Sequence, residues 1–200
     1  MFREVADIQL PSMLNLNVPK LKDGRYKIVE SVASESVEYM MQELAGRAEA
    51  IRAGNVDPTV DNMLKITNEA RLLGTDPRLI DPDAEVDGDG KLFQAAENIY
   101  QEYIGSQEFK GTQVAFCDIG TPTGTKKFNV YDFLKQELIR KGIPEDEIAF
   151  IHDAHSDKQK EELFADMRTG RKRILLGSTS MMGTGTNIRA TCCRTNSNVG

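Results

Sequence analysis

The residues best suited to binding or catalysis follow three short apolar segments of the chain. Asp118 lies at the end of QVAFCDI, His152 and Asp153 follow EIAFI, and the stretch GSTSMMGTGTN, at 177–187, follows RILL. A loop of Gly, Ser and Thr presents backbone N–H groups that suit a phosphate. An imidazole beside a carboxylate can act as a general base, and the alternative is a polar strand end that caps the next helix.

A second small, polar loop, GTPTGTKK at 120–127, adds the charges of Lys126 and Lys127, which suit a phosphate backbone. Neither loop has the Gly-Lys-Ser/Thr ending of a Walker loop, and neither fits the dinucleotide pattern G-x-G-x-x-G. Spacing alone therefore leaves two readings open for each loop, a phosphate-binding loop and a plain flexible loop.

The elements around these residues alternate between strand and helix. We predict strands at 113–119, 147–151 and 173–176, and we predict helices between them from apolar residues at helical spacing. Ser156 and Gln159 form a capping-box pattern, and Gly142 and Gly170 are predicted to end the two helices. Short links in this order favour an α/β fold with a parallel sheet flanked by helices, in which ligands bind beyond the carboxyl ends of the strands.

The first half of the chain predicts a mostly helical region after an irregular connector at 1–24. We expect a strand at 25–33, a helix capped by Ser36, a second helix starting at Asp57-Pro58 and ending near Gly74, and a third helix at 92–103. Between the last two lies an acidic loop at 76–90. Its order of acidic residues lacks the distal Glu of a calcium loop, so an acidic surface loop is favoured.

Composition and charge narrow the class of protein. The 200 residues carry a net charge of −6, which does not favour an autonomous nucleic-acid binder. Residues 1–104 hold 11 Lys and Arg against 19 Asp and Glu (−8), whereas residues 105–200 hold 14 against 12 (+2), so the second half tolerates a polyanion better. Three cysteines form no disulfide framework, and with no apolar leader or membrane span the pattern favours a cytoplasmic protein.

Two further groups have competing interpretations. A basic cluster follows the predicted helix that ends at Gly170, and it can be read as a nucleic-acid contact or as a solvated helix end; it consists of Arg168, Arg171, Lys172 and Arg173. Cys117 lies in an apolar strand and is read as a core residue. The two histidines and three cysteines reach no zinc-ligand spacing, so no metal site is predicted.

Taken in order, QVAFCDI, AFIHDAHSDKQKEELFADMRTG and RILLGSTSMMGTGTNI resemble the second RecA-like lobe of superfamily-two helicases, in the Swi/Snf-like branch. The blocks MFREVADIQ, VDNMLKITNEARLLGTDPRLIDP and FNVYDFL extend the resemblance to bacterial proteins of mobile elements that join a DNA methylase to such a helicase. The resemblance covers residues 1–188. It implies a three-layer RecA-like lobe at 105–188, which follows the connector and mostly helical extension at 1–104. The tail at 189–200 departs from the family pattern, and we expect either a disordered tail or self-association through the sheet edge that the departure exposes.

The resemblance also implies roles for individual residues. It implies nucleic-acid contacts by Asp118, His152 and Thr179. We expect the loop at 120–127 to add contacts by Thr121, Lys126 and Lys127, because its charge suits a phosphate backbone. It implies contact with a nucleotide, ATP with Mg²⁺ in a parent protein, by Gly183, Gly185 and Asn187. The family has Asp where this chain has Asn187, so no carboxylate role is carried over to that position.

Two departures from the family pattern shape the expected function. The first lobe with its phosphate-binding Lys and acidic pair has no counterpart in the sequence, and after Ile188 RATCCRTNSNVG replaces the arginine-bearing block, which suggests a truncation or a shifted reading frame. We expect a helicase lobe with no tightly bound cofactor and no ATP hydrolysis on its own. The alternative is a DNA- or protein-binding regulatory module, and a third reading is a small α/β enzyme using His152 and Asp153. Expected partners are DNA, the other lobe and methylase region of a parent protein, and a second copy through an exposed sheet edge.

Overall fold

A computed structural model describes residues 24–85, 88–122 and 128–182. The chain divides into two compact units, Met1–Glu30 and Ser31–Gly200. In the first unit, residues 26–30 form neither helix nor strand and are exposed. The strand predicted at 25–33 is therefore wrong. Its β-prone sequence becomes a strand only where a partner strand accepts and donates hydrogen bonds, and no described strand pairs with it.

The second unit begins with helices. Helix α1 spans Glu35–Arg52 and helix α2 spans Met63–Leu73. Ser34, not the predicted Ser36, caps α1, with its hydroxyl oxygen 3.4 Å from the Val37 backbone nitrogen. Asn62 caps α2. The predicted start at Asp57 is wrong because the Asp57 carboxylate instead accepts hydrogen bonds from Thr59 and holds a turn.

Helices α1 and α2 form a hairpin with a small core of Leu44, Ile66 and Leu73. Arg47 reinforces the hairpin, since its guanidinium donates to Asp61 at 2.7 Å and to Glu69 at 2.5 Å. A short turn, Pro77–Leu79, then leads toward the sheet. Leu79 packs on the core beside the sheet and the next residue, Ile80, packs on the hairpin core, so this turn joins the two parts of the unit.

The remaining elements alternate between helix and strand. Helix α3 spans Lys91–Gly105, strand β1 Gln113–Phe116, helix α4 Val130–Arg140, strand β2 Ile148–Phe150, helix α5 Asp157–Thr169, strand β3 Ile174–Gly177 and helix α6 Thr179–Met182. The strands are parallel in the order β1–β3–β2, with β3 in the centre. The fold-class prediction, an α/β sheet flanked by helices and preceded by a mostly helical region, is confirmed.

Alternate residues of β3 face the two sides of the sheet. Ile174 and Leu176 pack with α3 and α4, where Tyr131, Leu134 and Leu138 are buried. On the other side Leu175 packs with Phe164 and Met167 of α5 and with Met182 of α6. All of β3 is buried, as expected for the central strand of a parallel sheet.

The ends of α5 match the sequence prediction. Ser156 and Gln159 form both hydrogen bonds of the capping box, and Gly170 ends the helix with a φ of +72°. The strands are shorter than predicted. The chain leaves β1 after Phe116 and turns into a 3-10 helix, Ile151–Asp153, directly after β2. The stretch after β3, predicted as a loop, begins with the single helical turn α6.

Candidate functional site

The carboxyl ends of β1, β2 and β3 open into one shared cleft. Its volume is about 520 Å³, and it is lined by Asp118, Thr121, His152, Ser178, Thr179, Ser180 and Met181. The cleft thus brings together four of the residues predicted to bind nucleic acid, Asp118, Thr121, His152 and Thr179. These residues are separated in sequence, and they meet in the cleft because parallel strands end at the same edge of a sheet.

Asp118 and Thr179 form the best-defined polar contact of the cleft. One Asp118 carboxylate oxygen accepts the Thr179 backbone N–H at 2.6 Å, and the other accepts the Thr179 hydroxyl at 2.8 Å. These hydrogen bonds, with a smaller contribution from the positive charge of Arg71, lower the pKa of Asp118. Asp118 therefore ties the loop after β1 to the loop after β3 and stays ionised at neutral pH.

His152 forms the floor of the cleft between those loops. Its ring meets Tyr131 edge to face, with centroids 5.1 Å apart and an interplanar angle of 89°. Tyr131 is fully buried and donates its hydroxyl to the Cys117 carbonyl at 2.6 Å. The His152 ring is thus held in part by a tyrosine of α4 that the apolar spacing of the helix did not single out.

The general-base pairing of His152 with Asp153 is wrong. The His152 Nδ1 atom is buried, and it has no hydrogen-bond partner among the described residues. Asp153 instead lines a separate cavity beside β2, together with Glu162 and Asp166 of α5. His152 and Asp153 line different cavities, and among the described residues no carboxylate hydrogen-bonds the imidazole to orient it for proton transfer.

Two glycines beside the cleft residues are in close contact with neighbouring side chains. Gly120 has a φ of +65°, and a Cβ there would lie 2.6 Å from Val130 Cγ2. Gly177 ends β3 under Met182 and Ile151, whose side chains would lie 2.3 and 2.7 Å from a Cβ. A larger residue at either position must displace these neighbouring side chains. The sequence shows these glycines but not the neighbours that require them.

Several predicted site residues lie outside the described residues: Lys126, Lys127, Gly183, Gly185 and Asn187. The same holds for Asp87 of the acidic loop. Within residues 24–85, 88–122 and 128–182, no group of three or more His, Cys, Asp or Glu side chains is placed to hold a metal ion.

The basic cluster after α5 is not one surface. Arg173 is buried, 2% exposed, and its guanidinium donates to the carbonyls of Tyr103 at 2.9 Å and Gly111 at 3.1 Å. Arg171 is exposed and pairs with Asp166. Arg173 immediately precedes β3, whereas Thr179 follows it, so the cluster lies at the opposite end of the sheet from the cleft. The interpretation of Arg173 as a nucleic-acid contact is wrong.

Comparison with protein-family models, with curated proteins and with solved structures finds no match to this chain. Among the helices that the structure describes, none is long and apolar enough to cross a membrane.

Proposed function

We propose that the cleft at the carboxyl edge of the sheet contacts the phosphodiester backbone of DNA, and that the chain acts as the second RecA-like lobe of an ATP-dependent DNA translocase. The observation that carries the proposal is the convergence of Asp118, Thr121, His152 and Thr179 in one open cleft. Asp118, His152 and Thr179 come from three different blocks of the sequence resemblance, and Thr121 belongs to the loop that follows Asp118.

The chemistry of the lining supports a phosphate backbone as the ligand. Thr121 and Ser180 carry neutral hydroxyl groups that can hydrogen-bond phosphate oxygens without reading a base, whereas the Thr179 hydroxyl donates to Asp118. The single carboxylate, Asp118, points its oxygens at Thr179 and holds that residue in place. We therefore assign Asp118 a positioning role in DNA binding, acting through Thr179.

The nucleotide-binding part of the proposal rests on Gly183, Gly185 and Asn187. They lie beyond the last described residue, Met182, and follow α6 directly in sequence. A shift of the Asp118–Thr179 contact would therefore act on α6, the single helical turn that precedes the residues expected to contact ATP. This continuity supports a coupling role between the two ligands.

A DNA-binding titration with a matched pair of variants tests the proposal. Thr179→Val removes the exposed hydroxyl that donates to Asp118 in the cleft, and Thr169→Val removes an exposed hydroxyl at the end of α5, at the opposite end of the sheet. Loss of one hydrogen bond should weaken binding of a labelled DNA duplex by roughly two- to tenfold for Thr179→Val alone. Equal affinity of the two variants at every salt concentration, or no binding by the wild-type chain, would refute the proposal.

A further inference from the structure

His152 is the only nitrogen-bearing side chain among the described residues that line the cleft. The other side chains of that lining are a carboxylate, four hydroxyl groups and a thioether: Asp118, Thr121, Ser178, Thr179, Ser180 and Met181. Among these described residues there is neither Lys nor Arg. A phosphate in this part of the cleft therefore meets only neutral side-chain donors, unless the imidazole itself carries a positive charge.

The two ring nitrogens of His152 have different surroundings. Among the described residues, Nδ1 is the one buried side-chain nitrogen or oxygen that has no hydrogen-bond partner. The other nitrogen, Nε2, likewise forms no hydrogen bond with a described residue, but it is not buried. Because the His152 side chain lines the cleft, Nε2 is the nitrogen that is accessible from the cleft.

The surroundings of Nδ1 determine which nitrogen carries the proton of the neutral ring. Tyr131 packs against the imidazole, but its hydroxyl is directed to the Cys117 carbonyl rather than to Nδ1. A neutral imidazole has one N–H donor and one nitrogen acceptor. A buried N–H without an acceptor is rarer in proteins than a buried acceptor without a donor. The proton therefore belongs on Nε2, where solvent or a ligand can accept it.

We propose that His152 binds DNA as a neutral hydrogen-bond donor, whose Nε2–H contacts a phosphate oxygen while Nδ1 stays buried and unprotonated. This inference rests on the proposed function and deepens it, because it names the atom and the protonation state that act in the cleft. A neutral N–H binds a phosphate oxygen without neutralising its charge. The contact therefore adds affinity but releases no counterion, so the salt dependence of DNA binding does not depend on His152.

The test compares two substitutions that each keep an amide near one of the ring nitrogens. His152→Gln places its amide near the position of Nε2, whereas His152→Asn places its amide near the position of Nδ1 and removes the donor from the cleft. His155→Ala is the control, because His155 is the other histidine of the chain, is exposed and is not among the residues that line the cleft.

Binding of a short labelled DNA duplex is measured by fluorescence anisotropy over a range of salt concentrations, with Thr179→Val beside these variants. The buffer is held at about pH 8, where a free imidazole side chain is neutral. We expect His152→Asn to weaken binding by about two- to tenfold at every salt concentration, with the salt slope of the wild type. His152→Gln and His155→Ala should bind within about twofold of the wild type.

The outcomes separate this inference from the proposed function. A salt slope reduced by about 1 in His152→Asn would show a charged imidazole and overturn the inference. Equal affinities of His152→Asn and His152→Gln would overturn it too, and the proposed function stands if Thr179→Val still weakens binding. If the wild-type chain does not bind the duplex at all, both are overturned.

A second measurement uses the unaltered chain, so it remains valid even if a variant unfolds. Long-range ¹H–¹⁵N correlation spectra distinguish the two neutral tautomers of a histidine, and the spectrum of His155→Ala assigns the His152 signals. We expect the proton on Nε2 in the free chain, and we expect the Nε2 signal to shift when the duplex is added. A proton on Nδ1 would overturn the inference.

Discussion

Arg173 offers the sharpest test of how this fold is held together. The guanidinium lies between α3 and the start of β3, 3.9 Å from the centre of the Tyr103 ring. It donates to two backbone carbonyls, those of Tyr103 and Gly111, and to the Ser106 hydroxyl at 2.9 Å. We predict that Arg173→Met, which keeps the apolar stem and removes the charged donors, destabilises the protein strongly.

The magnitude follows from the acceptors that lose their donor. Two carbonyls each lose a hydrogen bond at a cost of about 1–3 kcal/mol, and the lost ring contact adds about 1 kcal/mol. The Ser106 hydroxyl keeps a second contact with the Glu102 carbonyl, so it adds little. Methionine also avoids the cost of burying a charge, which offsets part of the loss. We expect a net decrease of about 3–5 kcal/mol in the free energy of unfolding.

Urea unfolding followed by far-UV circular dichroism measures this difference, and thermal melts should show a decrease in Tm of roughly 6–20 °C. Arg171→Met is the matched control. Its side chain is 68% exposed and pairs with Asp166 at the surface, so the variant should lose at most about 1 kcal/mol. Equal stability of the two variants would contradict our account of Arg173 as a buried structural residue.

Three further predictions concern the cleft and the sheet. Gly177→Ala should cost about 1–3 kcal/mol, because its methyl group must displace Met182 and Ile151, and denaturant unfolding that matches the wild type would argue against this packing. Because the pKa of Asp118 is lowered, its carboxylate keeps the hydrogen bonds to Thr179 at every pH above that lowered pKa. The hydrogen bonds are lost as the pH falls through the lowered pKa. The Thr179 amide shift in NMR should therefore titrate with a midpoint below the ordinary pKa of an Asp carboxyl, and a midpoint at or above that ordinary value would contradict the contact. If copies of the chain associate through the free edge of β1, Phe116→Pro should weaken the association more than Phe116→Ala in light scattering, and identical masses for the two variants would exclude that edge.

The two outer strands, β1 and β2, differ in how well their outward-facing edges suit pairing with another strand. Backbone N–H groups of Gln113 and Cys117 donate to the chain at β3, so the N–H groups of Val114 and Phe116 point the other way, to the side of β1 that pairs with no other described strand. The Phe116 side chain is 57% exposed. The free side of β2, in contrast, borders charged residues that disfavour strand pairing: Lys135, Glu145, Asp146, Glu162, Asp166 and Lys172.

Local sequence patterns predicted much of the fold because their causes are local. The Ser156 capping box and the left-handed Gly170 are each settled within a few residues, and both were predicted correctly. The helix starts at Ser36 and Asp57 were wrong for a related reason. Several nearby residues can cap a helix, and the choice between them depends on packing that the pattern does not contain.

The candidate site, too, could be predicted from the sequence only in part. Chain order and strand polarity by themselves determined that Asp118, His152 and the residues after Gly177 meet at one edge, because parallel strands leave no other arrangement. The tertiary structure decided what each residue does there. It turned Asp153 away from His152 and buried Arg173 against a carbonyl 70 residues earlier in the chain. The burial and pairing of a charged side chain are set by neighbours distant in sequence. A run of charged residues therefore has the same sequence pattern whether its side chains are solvated or buried.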